Sequence, residues 1–180
     1  EEYKIVADDK RIDYTDDIID QSMVISKVEG RTLVRNNLVD GNFGYDEVWY
    51  GNYVSTSKSD KTLTGVINSL SQPLSTGFYI LNKNVTIGHR YFYRMEANVT
   101  SGSSVASLKL QVNLCGNFGE SFTISKDRIT YYGMIYATEN SYEQFYIYIN
   151  RGENAAINDG AQIKKLEIIV LTLAYGVNKE

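Results

Sequence analysis

The chain has 180 residues, a formal net charge of −4 and one cysteine, Cys115. Its acidic balance and the lack of a basic patch argue against nucleic-acid binding. The single cysteine excludes an intramolecular disulfide, and no apolar run is close to the length of a membrane span, about 20 residues. A chain of this length can bury roughly 70% of its unfolded surface, so one domain can form a core without metal or disulfide.

The first 21 residues differ in composition from the rest of the chain. The segment ADDKRIDYTDDIID, residues 7–20, holds six aspartates and shows little hydrophobic periodicity. We predict an acidic N-terminal arm or linker over residues 1–21 and a single domain over residues 22–180. Two alternatives remain open for the arm, which either docks on the domain through its isoleucines and Tyr14 or extends as a solvated tail.

Short strands separated by turns are predicted in the first half of the domain. The strand candidates here are residues 22–28, 33–34, 64–67 and 78–81. The dipeptide Glu29-Gly30 gives a turn signal after the first of them, and the only proline, Pro73, lies in a loop before the last. Residues 55–64 are rich in serine and lysine, and we interpret them as an exposed loop.

Residues 37–53 combine turn signals with aromatic residues. Asp40-Gly41 is a turn dipeptide, and Phe43 directly after it is positioned to enter the core. The only tryptophan, Trp49, follows in an aromatic stretch punctuated by glycine. Two roles are open for Trp49, a core side chain or a platform for a sugar ring.

The clearest strand pattern lies in residues 91–114. Apolar and polar side chains alternate through residues 91–99 and again through residues 106–114. Successive side chains of a strand point to opposite faces, so each half has one apolar and one polar face. The small, polar residues 100–104 suit a chain reversal. We predict an antiparallel hairpin that buries Leu108, Leu110 and Val112 and leaves Lys109 and Gln111 outside.

The last third of the chain continues this pattern. The strand candidates are residues 121–125, 129–138, 145–149 and 161–173. Phe145, Ile147 and Ile149 recur with period two, so we expect them to face the core. No stretch of ten residues has clean helical periodicity. Strands every 8–12 residues with turns between them indicate an all-β sandwich or barrel.

Fifteen tyrosines accompany one histidine and one proline. A tyrosine ring combines an apolar face with a polar tip, which suits sheet surfaces and binding sites. Tyr146 and Tyr148 alternate with the core residues of their strand, so we predict that they point outward. The candidate glycan-binding residues are Trp49, Tyr50, Tyr53, Tyr131, Tyr146 and Tyr148.

Two short motifs lie at opposite ends of the domain. The first, NLVDGNF at residues 37–43 with Trp49 soon after it, resembles the opening of jelly-roll carbohydrate-binding modules with the galactose-binding-like fold. The second, LEIIVLTLAYGVNKE at residues 166–180, resembles the closing strand and tail of such domains in tail-associated minor structural proteins of phages and prophages of Gram-positive bacteria. ISKVEGRTLVRNNL and VTIGHRYFYRMEANV are similar to two further segments, so the resemblance covers residues 25–180.

The resemblance implies an all-β, antiparallel two-sheet β-sandwich of the jelly-roll, galactose-binding-like type. It also implies a non-catalytic carbohydrate-binding module on an extracellular phage or phage-like tail. A bacterial surface polysaccharide would be its ligand, and neighbouring tail subunits, including further copies of the chain, would be its partners. Val170 stands where an acidic residue is common in the closing motif, which argues against the family's frequent calcium site. No cofactor, nucleic acid or membrane insertion is expected.

Two other functional classes remain as alternatives. A structural or oligomerisation domain of a tail protein would use its aromatic residues at subunit interfaces, and a module of a polysaccharide hydrolase would need two carboxylates facing across a cleft. Carboxylates are common at turns, so their presence alone does not indicate catalysis. The lack of a His/Cys cluster excludes zinc. Asp40, Asn42, Asp46 and Glu47 lie close in sequence, and Glu167 lies on the closing strand, but turn formation by Asp and Asn explains this pattern better than a calcium site.

Overall fold

A computed structural model of the protein describes residues 23–28, 31–44 and 46–173. The predicted arm, the dipeptide at 29–30 and the tail at 174–180 lie outside the described residues. None of the described segments is a helix that could cross a membrane.

The described residues form one 3-10 turn, Pro73–Ser75, and 13 strands. The strands are β1 Met23–Val28, β2 Arg31–Asn37, β3 Trp49–Asn52, β4 Val54–Ser59, β5 Thr62–Ile67, β6 Gly77–Leu81, β7 Arg90–Val99, β8 Ser107–Leu114, β9 Asn117–Phe118, β10 Phe122–Ser125, β11 Ile129–Tyr136, β12 Gln144–Tyr148 and β13 Gly160–Leu173.

These strands form two antiparallel sheets. The first sheet contains β1, β2, β4, β5, β7, β11 and β13, and the second contains β3, β6, β8, β9, β10 and β12. The long strand β13 organises the first sheet, because it pairs with β7 along one edge and with β5 and then β2 along the other. The second sheet has the order β10-β8-β12-β6-β3, with the short β9 paired to β8. The predicted all-β, two-sheet sandwich is confirmed.

The core lies between the sheets and contains the residues that the alternation predicts. Five side chains predicted to be buried have no exposed surface, namely Leu108, Leu110, Val112, Ile147 and Ile149. Lys109 is exposed and Gln111 is half-buried, as the predicted register requires. Phe43 enters the core just after its turn. Full burial of each large apolar side chain contributes about 1.5–3 kcal/mol, so these residues set the faces of their strands.

The predicted hairpin over residues 91–114 is wrong. β7 pairs with β11 and β13 in the first sheet, whereas β8 pairs with β9, β10 and β12 in the second. Both strands bury their apolar faces, but they do so from opposite sides of one core. The connection crosses between the sheets, where the Ser104 amide donates to Asp159 Oδ1 at 2.6 Å. Alternation identifies the buried face of a strand, but it does not identify the strand's partner.

The predicted exposed loop over residues 55–64 is also wrong. These residues form most of the β4–β5 hairpin, whose turn residues Asp60 and Lys61 have φ values of 52° and 58°. Positive φ at both positions is the geometry of a type I′ turn, which usually carries Asn-Gly or Asp-Gly. Lysine in place of glycine hides the turn signal. The polar composition of β4 fits its position at the edge of the sheet.

Candidate functional site

Five aromatic side chains form a row on the outer face of the second sheet, which we call the aromatic ladder. Its members are Tyr50, Tyr79, Tyr146, Tyr148 and Phe118. Strand register places Tyr50 directly opposite Tyr79, and Tyr79 directly opposite Tyr146. The side chains that flank these three tyrosines on their strands, Trp49, Phe78, Ile80, Phe145 and Ile147, point into the core, so the tyrosines point outward.

The rings of the ladder stack on one another in sequence. The centroid separations are 5.5 Å for Tyr50–Tyr79, 5.3 Å for Tyr79–Tyr146, 4.2 Å for Tyr146–Tyr148 and 6.0 Å for Tyr148–Phe118. The first two values are close to the spacing of about 4.8 Å between neighbouring strands. Carbon atoms in contact lie about 3.5–4.0 Å apart, so these nearly parallel rings are offset and partly cover one another. Neighbouring rings therefore occupy much of each ring face in the middle of the ladder.

The two ends of the ladder are its most open parts. Tyr50 is 42% exposed and Phe118 is 52% exposed, whereas Tyr146 in the middle is 7% exposed. Burial raises the pKa of Tyr146 to about 12, although a side-chain hydrogen bond with Asn52 acts in the opposite direction. The Tyr146 hydroxyl donates to Ser75 O at 2.6 Å. Tyr146 therefore anchors the ladder, and the end rings are the surfaces that a ligand can reach.

Polar side chains border the ladder. On β3, Asn52 Nδ2 donates to Ser75 O at 3.0 Å. At the other end, the Arg151 guanidinium carbon lies 4.3 Å from the ring centroid of Tyr148 and 5.4 Å from that of Phe118. A strip of rings bordered by amide and guanidinium groups can contact the apolar face of a sugar and bond to its hydroxyl groups.

Gly77 on β6 is a packing requirement of the ladder. It lies opposite Tyr148, and a Cβ atom there would overlap the Ile147 carbonyl oxygen and come within 2.9 Å of Tyr146 Cε1. We expect Gly77→Ala to lower the free energy of unfolding by about 1–3 kcal/mol in urea denaturation. The matched control is Gly102→Ala, since a Cβ there meets nothing within 4 Å. Equal stability of the two variants would contradict this packing.

The structure brings together four of the six predicted glycan-binding residues. Tyr50, Tyr146 and Tyr148 belong to the ladder. Tyr53 directly follows β3, next to Asn52 at the border of the ladder. Tyr131 does not belong to this group. It lies on β11 in the first sheet, half-buried, with its ring centroid 4.8 Å from that of Phe122.

Trp49 is a core residue, and the prediction that places it in the glycan site needs correction. It is 5% exposed and makes edge contacts with Phe43, Phe78 and Phe145 at centroid distances of 5.8, 6.3 and 6.3 Å. These rings and the sheet cover the indole. No face of Trp49 is open for a sugar, so it is not part of the candidate site.

Four members of the site and its border are absent from the sequence prediction, namely Asn52, Tyr79, Phe118 and Arg151. Tyr79 lies between two core residues of β6, so the period-two rule could have placed it outward. Phe118 lies between the predicted strands that end at residue 114 and begin at residue 121, but a two-residue turn at Cys115-Gly116, with φ of 55° and 103°, makes it part of β9. Arg151 lies three residues after the end of β12, and no sequence pattern connects it with the ladder.

Lysine ammonium groups occupy the loop considered for calcium. Lys83 Nζ lies 2.9 Å from Glu47 Oε2, and Lys58 Nζ donates to the carbonyl oxygens of Gly44 and Glu47 at 2.6 Å each. Glu47 Oε1 also accepts from the Asp40 amide at 2.8 Å. Among the described residues, no group of three or more His, Cys, Asp or Glu side chains is placed to hold a metal ion. Three oxygens of this loop, Glu47 Oε2 and the carbonyl oxygens of Gly44 and Glu47, are thus bonded to lysine side chains.

Cys115 does not have the properties of a nucleophile. It is fully buried, and its Sγ donates to Lys83 O at 3.0 Å. Burial raises the pKa of Cys115 to about 11, with a smaller contribution from Glu143 and an opposing hydrogen bond from the backbone of Gln144. The thiolate is the reactive form, so this thiol is poorly reactive near neutral pH.

No protein-family model matches the chain, and no curated protein sequence matches it. Solved structures do resemble it. A mutant of a family 29 carbohydrate-binding module has a TM-score of 0.51 at 11% identity, over 78% of this chain and 92% of that one. CBM22-1, the xylan-binding domain of Paenibacillus barcinonensis Xyn10C, has a TM-score of 0.51 at 11% identity, over 82% and 100%. A mutant of CBM29-2 complexed with cellulohexaose has a TM-score of 0.50 at 11% identity, over 79% and 92%. At this identity the likeness establishes the jelly-roll fold alone.

Proposed function

We propose that the domain is a non-catalytic carbohydrate-binding module that binds a glycan along the aromatic ladder. The observation that carries this proposal is the ladder itself, whose five stacked rings are open at Tyr50 and Phe118 and bordered by Asn52 and Arg151. Exposed aromatic rings beside polar side chains suit a ligand with an apolar face and hydroxyl groups. The fold neighbours described as binding xylan and cellulohexaose support a polysaccharide as the ligand class.

The proposal includes a biological setting, an extracellular phage or phage-like tail whose target is a host-cell-surface polysaccharide. Its support is the resemblance of NLVDGNF and LEIIVLTLAYGVNKE to domains of tail-associated minor structural proteins. An open site of this kind should bind weakly, with a Kd of about millimolar to micromolar, or about −4 to −8 kcal/mol. Several copies on one particle would raise the avidity without new contacts.

A different surface favours a second candidate function, a structural or oligomerisation domain. On β11, Tyr132, Met134 and Tyr136 are 66%, 44% and 49% exposed, and Phe92 opposite Met134 is 39% exposed. β11 lies at the edge of the described first sheet, and an apolar patch on an edge strand suits contact with a second copy.

The hydrolase alternative has less support from the described residues. Glu47 is paired with Lys83 at 2.9 Å, and Glu96 is paired with Lys165 at 3.3 Å. Glu47 belongs to the loop before β3, whereas Glu96 lies on β7 in the first sheet. Glycoside hydrolysis requires two carboxyl groups that flank one bond, which these two separate ion pairs do not provide.

Affinity electrophoresis with immobilised bacterial surface polysaccharides tests the proposed function. Tyr50→Ala and Phe118→Ala should each weaken binding about fivefold, since covering a half-exposed ring contributes about 1 kcal/mol. The matched control is Tyr132→Ala, which removes a more exposed tyrosine from the other sheet and should leave the affinity unchanged.

Sedimentation of the same variants distinguishes the second candidate. If the multimerised protein binds no surface polysaccharide, and Tyr132→Ala dissociates a dimer that forms in the wild type, the structural function replaces the binding function. If the wild type binds a glycan and both Tyr50→Ala and Phe118→Ala bind it with the same affinity, the ladder is not the binding surface.

A further inference from the structure

Arg151 is held in a fixed position at one end of the ladder. Its Nε donates to Gln111 Oε1 at 2.9 Å, and its Nη1 donates to Leu74 O at 2.8 Å. Gln111 is itself held by a bond from its Nε2 to Gly119 O at 2.9 Å. The guanidinium also lies over the ring of Tyr148 at 4.3 Å. These contacts fix the plane of the guanidinium before any ligand arrives.

The positive charge of Arg151 is not neutralised within the described part of the chain. Both of its hydrogen-bond acceptors are neutral, since one is an amide oxygen and the other a backbone carbonyl. Glu153, an exposed carboxylate two residues further along, forms no ion pair with it among the described contacts. A guanidinium has five N–H groups, and the two bonds above leave three of them, including both on Nη2, for an external acceptor.

We propose that Arg151 forms an anion subsite at this end of the ladder, so that the bound glycan is acidic. This inference rests on the proposed function and specifies its ligand class. The planar guanidinium fork binds a carboxylate or a phosphate through two parallel charge-assisted hydrogen bonds, and a fixed fork loses little freedom on binding. A carboxylate would come from a uronic acid unit, and a phosphate would come from a phosphorylated sugar.

Two neighbouring side chains support this subsite. Phe118 is half-exposed beside the guanidinium, so the sugar unit that carries the anion can lie against its ring. Lys109 is exposed on the outer face of β8, and its carbonyl oxygen accepts from the Arg151 amide at 3.0 Å. A second positive charge therefore lies on the same face, which attracts an anionic polymer and repels a cationic one.

Matched pairs of polymers that differ only in charge test the subsite. The carboxylate pair is polygalacturonate and its methyl ester, and the phosphate pair is a phosphomannan and its dephosphorylated form. We expect the wild type to bind the charged member of at least one pair tenfold or more tightly in affinity electrophoresis at low salt. The preference should shrink at high salt, because salt screens exposed charges. The pair that shows the preference identifies the source of the anion.

Variants of Arg151 locate the preference at this residue. Arg151→Gln should reduce the preference to less than threefold, because it removes the positive charge from this end of the ladder and keeps a side chain that can still donate a hydrogen bond. Arg151→Lys keeps the charge without the fork and should retain part of the preference. The matched control is Arg128→Gln, which removes an exposed arginine whose Nε donates to Asn98 Oδ1 at 3.1 Å on the first sheet. This control should retain the full preference, and thermal unfolding verifies that every variant is folded.

The possible outcomes separate the two proposals. Equal binding of charged and neutral polymers by the wild type overturns the anion subsite and leaves the carbohydrate-binding function standing. A charge preference that survives in Arg151→Gln also overturns the subsite, since the preference then arises elsewhere. No binding of any polymer or surface polysaccharide, even by the multimerised protein, overturns both proposals.

Discussion

Trp49→Ala is expected to lower the free energy of unfolding by about 3–5 kcal/mol. Trp49 is 5% exposed and lies against the rings of Phe43, Phe78 and Phe145, so its removal leaves a large cavity between the sheets. Urea denaturation measures the loss. In conditions where the variant is still folded, its affinity for a glycan should equal that of the wild type, because the ladder lies on the opposite face of the second sheet.

Trp49→Phe serves as the conservative control. The indole Nε1 is buried and has no hydrogen-bond partner in the described part of the chain. Phenylalanine keeps most of the aromatic contacts and removes this donor, whose burial without a partner costs about 1–3 kcal/mol in the wild type. We therefore expect Trp49→Phe to lose less than half as much stability as Trp49→Ala. If Trp49→Ala instead weakened glycan binding without a loss of stability, the tryptophan would be a binding platform.

The ambiguity of Trp49 in the sequence has a physical cause. Trp49 and Tyr50 are adjacent on a strand, so one must face inward and the other outward, but both are aromatic. The four-residue strand β3 is too short to give a pattern that decides between them. Its register with β6 decides, because Trp49 lies opposite the core residue Ile80 and Tyr50 lies opposite Tyr79.

The hydrophobic periodicity of a strand predicts which of its faces is buried, but it does not predict which strands it pairs with. It correctly places Leu110 on β8 and Ile147 on β12 in the core, because burial depends on the strand's own alternation. It fails for the pairing of β7, whose neighbours in the sheet come from residues 129–136 and 161–169, far along the chain. Long-range pairing depends on the complementarity of whole sheets, which a local pattern does not contain.

The residues of the candidate site also differ in how far the sequence alone could predict them. Tyr146 and Tyr148 could be placed outward from the alternation of β12 alone. The ladder needs three further strands, since Tyr50 comes from β3, Tyr79 from β6 and Phe118 from β9. Only the assembled sheet brings these rings together, so the sequence predicts individual outward aromatics but not a continuous row.

Asp159→Asn is expected to lower the free energy of unfolding by about 2–4 kcal/mol, since hydrogen bonds to charged groups contribute about 1.5–3 kcal/mol each. Asp159 is 1% exposed and links the crossover between β7 and β8 to the turn before β13. Its Oδ1 accepts from the Ser104 amide at 2.6 Å, and its Oδ2 accepts from the Ala156 amide at 2.8 Å. Asparagine would present an NH₂ group to one of these donors and leave that amide without an acceptor.

The stability that Asp159→Asn loses relative to the wild type should increase with pH. Burial raises the pKa of Asp159, but hydrogen bonds from Ala156 and Ser104 and the positive charge of Lys126 outweigh burial, so that the pKa lies below its ordinary value of 3.8. Between the two values the unfolded chain binds more protons than the folded chain, and the stability therefore rises with pH. The contribution of the carboxylate is complete above about pH 5 and is lost as the pH falls through the lowered folded-state pKa.

Urea denaturation of the wild type and Asp159→Asn at neutral pH and at decreasing acidic pH measures this dependence. The difference between the two proteins should be largest at neutral pH and shrink in acid, because protonation removes from the wild type the charge that the variant lacks. Ser104→Ala is the matched control, since it removes the Oγ bonds to Asp159 at 2.9 and 3.0 Å but keeps the amide and the carboxylate. Its loss should be about 1 kcal/mol. A difference between wild type and Asp159→Asn that stays constant down to strongly acidic pH would show that the ionised carboxylate does not hold the crossover in place.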